Sequence, residues 1–418
     1  MKFSPTVNHS LITRILPLAV LTASLAACGG GGGDSSPVPT TPSAPSDTAP
    51  TPKPNPPQGG QVAKPDEVLV TPVAPSKPTN PSKPAEPSTD QPPPSTPSYD
   101  GITMTQSERA VFERLNARRE TCGFGGLNAN SKLMMAANNH TNYLLHMTQF
   151  SAQPFQGHYE TGVDEFSGTK NPYYSGRAVA DRLSTTSRKG AKAVAVNYPY
   201  YTVAENLSFL RFNDTYFDKN GDEQLALKGI NGLLAAPYHM ASLLSPEFAD
   251  IGIGYGRTPM KSPFKLEGGG NTDGQASVLE MVLAVQRDNI RTPPNQVISY
   301  PCTGTVGTQY ELKHESPNPF SNTNRNLAKD PIGQPIFILA NGSLRVSNYK
   351  MTDAANNEIA LQALTAKNDP NHILEPTQVI LMPLTALQPN QTYRVTYQAS
   401  VNGASSEPYE VIFSTKAQ

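Results

Sequence analysis

Glu205 and Asn206, in the stretch Ala204-Glu205-Asn206-Leu207, lie between two histidine-bearing segments, Gly157-His158-Tyr159-Glu160 and Pro237-Tyr238-His239. Two neutral imidazoles and a carboxylate with one position left open are a donor set for zinc or another divalent metal, and a carboxylate beside a polarised water is a general base. On that chemistry His158, Glu205 and His239 would hold the ion, and Glu205 would serve a hydrolysis as base. The same residues have a second reading, in which imidazole–carboxylate pairs hydrogen-bond each other and shape a polar binding groove. No compact metal motif such as His-Glu-x-x-His is present, nor a Gly-x-Ser-x-Gly elbow or a phosphate-cradling glycine loop. Either reading therefore requires the fold to bring distant segments to one cleft.

Helices and strands must do that positioning. Thr105-Gln106-Ser107-Glu108 has the form of a capping box and opens a helix with Val111, Phe112 and Leu115 on one side, ending near Arg119. A second helix is expected from Asn130-Ser131 to about Met147. Its apolar face carries Leu133, Ala136, Ala137, Leu144 and Met147 together with His140, which on such a face reads as a hydrogen-bonded core residue. Turn formers dominate from Phe150 to Asn171, which places His158 and Glu160 on a loop. Pro172 suits the start of a third helix reaching about Leu183. Asp222 to Leu234 reads as a fourth, and Pro237 restarts or kinks it just before His239.

Two strands follow. Ile251-Gly252-Ile253-Gly254-Tyr255 sets bulky side chains on one face and glycine on the other, where a helix or ligand can approach closely. Ser277 to Val285 is apolar at nearly every position, as in a strand covered on both faces, except for Glu280. A carboxylate there is paired with a cation, exposed at a strand end, or part of a site. After residue 302 the pattern turns to short strands, at Ile336 to Leu339, Ser343 to Val346, Val379 to Met382, Tyr393 to Ala399 and Tyr409 to Ser414, with His314 and His372 isolated and solvated.

The chain has 418 residues, with 31 glycines and with 41 prolines that crowd towards its first quarter. A net charge of −1 and a charged fraction of 16% leave no basic field to gather a nucleic acid. Residues 1–27 read as an export signal, in which Lys2 and Arg14 precede an apolar run ended by small residues. Leu25-Ala26-Ala27-Cys28 resembles a bacterial lipobox, which implies cleavage before Cys28 and its acylation. Gly29 in the next position is similar to the pattern of lipoproteins sent to the outer membrane. Residues 28–99 are too poor in apolar side chains to offset their ordering entropy, and read as a disordered tether with a reach on the order of 200 Å. With Cys28 lipidated in an oxidising compartment, Cys122 and Cys302 remain, and a bond between them is expected.

Five pieces in order, Leu115-Asn116-Ala117-Arg118, Ala136 to His140, Gly157-His158-Tyr159-Glu160, Ala204-Glu205-Asn206-Leu207 and Ala236-Pro237-Tyr238-His239, resemble a bacterial CAP (SCP-like) domain over residues 105–290. That resemblance implies an α-β-α sandwich with a cleft of histidines and glutamates. His158 and Glu205 match the first histidine and the Glu-Asn signature. Where some members have Trp-x-x-Glu this chain reads Leu233-Leu234-Ala235-Ala236, and Ser277-Val278-Leu279-Glu280 stands in place of His-Tyr-Thr-Gln. Leu387 to Tyr393 resembles the turn into a strand of Ig-like domains, where a tyrosine hydroxyl bonds to nearby backbone.

The resulting expectation is an α+β chain: a signal at 1–27, a tether at 28–99, a CAP-type domain at 100–302 and an all-β Ig-like sandwich at 303–418. The cleft set is His158, Glu160, Glu205, Asn206, His239 and Glu280. The expected role is a binding module for a lipid, glycan or protein ligand, anchored to the outer membrane. A metal-assisted hydrolase and a purely structural envelope linker are the alternatives.

Overall fold

The computed structural model describes residues 101–418 apart from 154–156, 185–189, 213, 262–263, 266–270 and 273. The expected export signal, the Cys28 acylation site and the tether lie outside the described residues. In chain order the elements are α1 (Gln106–Thr121), β1 (Asn128–Ala129), α2 (Ser131–Phe150), α3 (Val179–Leu183), β2 (Thr202–Phe212), α4 (Asp214–Leu233), α5 (Pro237–Leu244), β3 (Asp250–Pro259), β4 (Phe264–Lys265), β5 (Asn271–Thr272), β6 (Gln275–Val285), β7 (Ile298–Tyr300), β8 (Ile336–Leu339), β9 (Leu344–Asp353), β10 (Glu358–Ile359), β11 (Leu361–Thr365), β12 (Gln378–Pro383), β13 (Thr392–Val401) and β14 (Glu407–Ser414). The chain is thus α+β.

The capping box opens α1 as its sequence foretells, with Glu108 and Thr105 bonded reciprocally. Asn130 caps α2 by accepting from the amides of Lys132 and Leu133. α4 is broken at Gly221, whose φ of 69° a helix cannot accommodate. The third helix is shorter than its sequence suggests: only Val179–Leu183 is helical. The stretch before it is bent so that the amides of Ser175 and Gly176 both donate to the Glu160 carboxylate, a demand that outweighs the helix-starting tendency of Pro172.

β1, β3, β6 and β2 form a sheet in that order, antiparallel except for β1 with β3. Residues of β2 and β6 alternate between two helical layers. Leu207, Phe209 and Val278 pack on Tyr143, Leu144 and Met147 of α2, while Leu279, Met281 and Leu283 join Val111, Phe112 and Ile230 of α1 and α4. The glycines of β3 make the α2 layer fit. A Cβ on Gly252 would lie 2.0 Å from the carbonyl carbon of Leu133, and one on Gly254 2.8 Å from the backbone of Ala137. It is a helix, α2, that uses this glycine face.

Beyond α5 come two antiparallel four-stranded sheets, β11-β12-β8-β7 and β10-β9-β13-β14. Ile336, Ile338, Met351 and Val395 lie in the core between them. Phe337, Leu339, Ile380 and Met382 face the other way, into the core built by α1, α4 and α5. Ile336 to Leu339 is an unbroken apolar run because it is buried on both faces. Strand β7 lies before residue 302 yet pairs with β8, so the chain segments on either side of the expected boundary at 302/303 share a sheet. All described residues fall in one compact unit. The expected disulfide is present, joining Cys122, at the end of α1, to Cys302 with their Cα atoms 5.5 Å apart.

Candidate functional site

Strand alternation decides which of the expected residues meet. Glu205 points towards α2, and its neighbour Asn206 towards α5, where its Nδ2 donates to Ser242 Oγ at 3.1 Å. His239, on α5, is on that same side, with Nδ1 3.2 Å from Glu315 Oε1. The expected trio of His158, Glu205 and His239 therefore does not form, because the sheet separates His239 from the other two. Asn206 leaves the cleft set for the same reason. His158, Glu160, Glu205 and Glu280 do gather on the α2 side, together with His140 and Arg182.

The gathering is nearly dry. His140, Arg182 and Glu280 are at most 1% exposed, and His158, Glu160 and Glu205 no more than 5%. Glu205 Oε2 lies 2.7 Å from His158 Nδ1, and its Oε1 accepts from the Arg182 guanidinium. Burial alone would raise the Glu205 carboxyl, but the Arg182 charge and the His158 hydrogen bond overcome it and hold the group well below the carboxylate range. Among the described residues no cation forms an ion pair with Glu280, although the Arg182 charge acts on it too. Burial first, and the Glu205 charge second, push its carboxyl well above 4.5. Both its oxygens lack a hydrogen-bond partner, and a proton held on Glu280 and turned towards Glu205 relieves both groups.

His140 projects from α2 into the same space, fully buried as its place on the apolar face requires. Its Nδ1 lies 3.1 Å from Glu160 Oε1 and its Nε2 3.0 Å from Gly157 O. Burial, followed by the Arg182 charge, pulls the imidazole below its ordinary value against the pull of Glu160. Glu160 also accepts from Ser175 N at 2.6 Å, Ser175 Oγ at 3.0 Å and Gly176 N at 3.2 Å.

One donor atom each from His140, Glu205 and Glu280 lie within 4.8 Å of one another, a spacing that could hold a metal ion. Their chemistry suits a cation poorly. Both His140 nitrogens face other acceptors, Glu205 is already neutralised by a guanidinium, and Glu280 favours its protonated form. The charge an ion would supply is supplied by Arg182.

Nearly every bond in this network ends on the loop between α2 and α3. His140 holds Gly157, Arg182 Nη1 donates to His158 O at 3.2 Å, and Glu160 N donates to Arg177 O at 2.9 Å. Tyr143 adds more: its hydroxyl donates to Thr161 O and accepts from Gly168 N, and its carbonyl accepts from the Asn171 amide. The outer surface of the pinned loop walls a groove of about 690 Å³ running from Glu160 to Arg177, within the roughly 300–1,000 Å³ of small-molecule sites.

Sequence reading missed Arg182 and Glu315 as site residues. Neither left a signal, since Arg182 lies in a stretch that reads as an ordinary helix and the acid or imidazole each one meets lies in a different part of the chain. Glu315 also ties the chain beyond 302 to the helical layer before it. It accepts from Tyr238 N at 3.1 Å as well as facing His239, while the Tyr238 hydroxyl donates to Asp369 at 2.5 Å.

No protein-family model and no curated protein matches the sequence. Among solved structures, a DUF4426 family protein from Pseudomonas aeruginosa PAO1 aligns at a TM-score of 0.17 and 11% identity, over 20% of this chain and 65% of that one. PcoC, a methionine-rich copper resistance protein from Escherichia coli, aligns at 0.19 and 15%, over 30% of this chain and 100% of its own. Both likenesses are too slight to say anything of this chain's fold or ligand. Among the described residues, no helix is long and apolar enough to cross a membrane.

Proposed function

We propose that this chain is a binding module of the cell envelope: a CAP (SCP-like) head and an Ig-like sandwich, held to the outer membrane by acyl chains on Cys28, with its ligand met in the groove of the 160–177 loop. Helices on both faces of the β1-β3-β6-β2 sheet support the CAP reading, and Gln388 N donating to the Tyr393 hydroxyl at 2.7 Å supports the Ig-like one. The observation that carries the functional reading is the closure of the His/Glu network. Its groups are buried and, Glu280 apart, paired with one another or spent on holding the loop backbone, so they rigidify a recognition surface and have no open face for a substrate. Preorganising a loop lowers the entropy lost on binding, which is what a binding module needs from such a network.

The grouping of His140, Glu205 and Glu280 favours the second reading, a metal-assisted hydrolase with Glu205 as base. Metal analysis separates the two. Protein purified without a chelator should carry no stoichiometric divalent metal, and EDTA should leave its thermal midpoint unchanged. One equivalent of zinc, lost in Glu280→Gln and in His158→Ala, would overturn the binding-module reading in favour of the hydrolase.

A further inference from the structure

The disulfide is not sealed in the core. Cys122 and Cys302 both line a second groove, of about 330 Å³, together with Glu120, Ser299, Tyr397 and Tyr409. Cys122 is 6% exposed and Cys302 only half-buried, so Cys302 is the more open end of the bond. Tyr397 and Tyr409 stack with their centroids 5.4 Å apart and give the groove a fixed wall. Room for a reagent beside the bond therefore stands ready in the folded chain, and access is the first requirement for sulfur chemistry.

One hydroxyl serves both sulfurs. Thr305 Oγ1 lies 3.7 Å from Cys122 Sγ and 3.5 Å from Cys302 Sγ. The bonded sulfurs carry no hydrogen, so the hydroxyl is the donor, and its oxygen accepts in turn from Cys302 N at 3.1 Å. That amide takes a lone pair and leaves the hydroxyl proton for the bond. A sulfur in a disulfide is a weak acceptor and a thiolate a strong one. Cys122 caps the C-terminal end of α1, where the helix carbonyls oppose negative charge. A thiolate released there depends on Thr305 as its donor.

We propose that the Cys122–Cys302 bond is a thiol–disulfide exchange site for a dithiol reductant. A thiolate of the dithiol attacks Cys302 Sγ from the groove and the Cys122–Cys302 bond breaks. Cys122 leaves as a thiolate, is met by the Thr305 hydroxyl, and takes up the proton that the attacking thiol released. The second thiol of the reductant, deprotonated in its turn, attacks the reductant's own sulfur in the mixed disulfide and expels Cys302, which takes that second proton. The dithiol ends as a disulfide, and its two electrons rest on Cys122 and Cys302 as thiols. The bond fastens α1 to the turn at 302–305, and that turn edges β14 through Gly304 N to Ile412 O and Ser414 N to Thr305 O, both at 2.9 Å. Reduction would therefore loosen the joint between α1 and the sandwich edge. The site is separate from the groove of the 160–177 loop and stands whether or not that groove takes a ligand.

Reduction of the full, folded chain by dithiothreitol tests this, with iodoacetamide trapping and peptide mapping of Cys122 and Cys302. Both should become alkylated at a rate proportional to the dithiothreitol and flat across urea concentrations below the unfolding transition. A rate that climbs steeply with urea would mean that only unfolded molecules are attacked, and would overturn the proposal. With the monothiol mercaptoethanol and an acid quench, the mixed disulfide should map to Cys302, and finding it on Cys122 would overturn the assigned order of attack. Thr305→Val should slow native-state reduction about tenfold or more, and Thr305→Ser, which keeps the hydroxyl, should restore it. A valine variant as fast as the native chain would remove Thr305 from the step. A blocked Cys-Ala-Ala-Cys tetrapeptide identifies the source of the dithiol, once each reagent's rate is divided by its rate on the urea-unfolded chain. A faster tetrapeptide assigns the site to a dithiol carried on a protein loop, and faster dithiothreitol to a free one.

Discussion

Glu315 Oε1 stands 3.2 Å from His239 Nδ1 and 3.1 Å from the amide nitrogen of Tyr238. A residue beyond the disulfide thereby satisfies two donors at the start of α5, a helix that packs on both β2 and β8. Gln334 Nε2 donating to Leu234 O at 2.9 Å, just before the same helix, makes the seam tighter. The β-sandwich thus helps complete the helical layer it adjoins.

Removing that acceptor should be costly. Glu315→Ala leaves the Tyr238 amide and the His239 ring without a buried partner, at about 1–3 kcal/mol for each orphaned group. Glu315→Gln keeps an acceptor oxygen and should lose less. Urea unfolding monitored by tyrosine fluorescence reads both, and an alanine variant as stable as the native chain would show that water reaches the seam.

The Arg182–Glu205 pair should be the more sensitive one. Arg182→Met leaves a buried carboxylate without its counter-ion, a defect of roughly 3–5 kcal/mol, and removes the guanidinium's bond to His158 O as well. Hydrogen exchange should then speed up across 157–177 well before it does in β2 or β6. Uniform protection across the loop and the sheet would mean that Arg182 does not hold the loop.

Glu280 ties stability to pH in a particular direction. Its folded-state carboxyl is raised well above 4.5, so the native chain keeps a proton that the unfolded chain releases. Stability is then greatest below the unfolded value and declines as pH climbs from there towards the folded one. Glu280→Gln is neutral in both states. It should match the native chain near about pH 4 and gain on it steadily towards about pH 8. Urea midpoints across that range check the slope, and a difference independent of pH would place a charged Glu280 in the core.

Much of this scaffold was legible in the residues. The Thr105–Glu108 box, the Asn130 cap, the Pro237 restart and the double-sided apolar runs at Ser277–Val285 and Ile336–Leu339 each carry a local physical signature, and each element appears where that signature lies. The site was legible only in part. His158 and Glu205 meet as expected, while His239 does not join them. Strand period 2 sends Glu205 and Asn206 to opposite faces, and the sequence says nothing of which face α5 will cover. His140 showed its burial through its helical face but not its partners. Arg182 looked like one more helix arginine, since a buried cation is defined by acids that lie far away in sequence.

The glycine face of β3 gives a graded test of how close α2 must lie. In Gly252→Ala the new methyl would meet the Leu133 carbonyl carbon at 2.0 Å, an atom that cannot move without shifting the helix, whereas in Gly256→Ala it would meet only Leu145 Cδ1 at 2.6 Å. Overpacking a dense core costs typically about 1–3 kcal/mol, and more where backbone must yield. Gly252→Ala should therefore lower the urea midpoint further than Gly256→Ala, whose leucine can change rotamer. Because α2 carries His140 and Tyr143, Gly252→Ala should also loosen the 157–177 loop, seen as faster amide exchange at Gly168, whose N–H bonds to the Tyr143 hydroxyl at 2.9 Å. Equal midpoints for the two variants would mean that α2 is free to slide over β3, and the network above it could not then act as a rigid support.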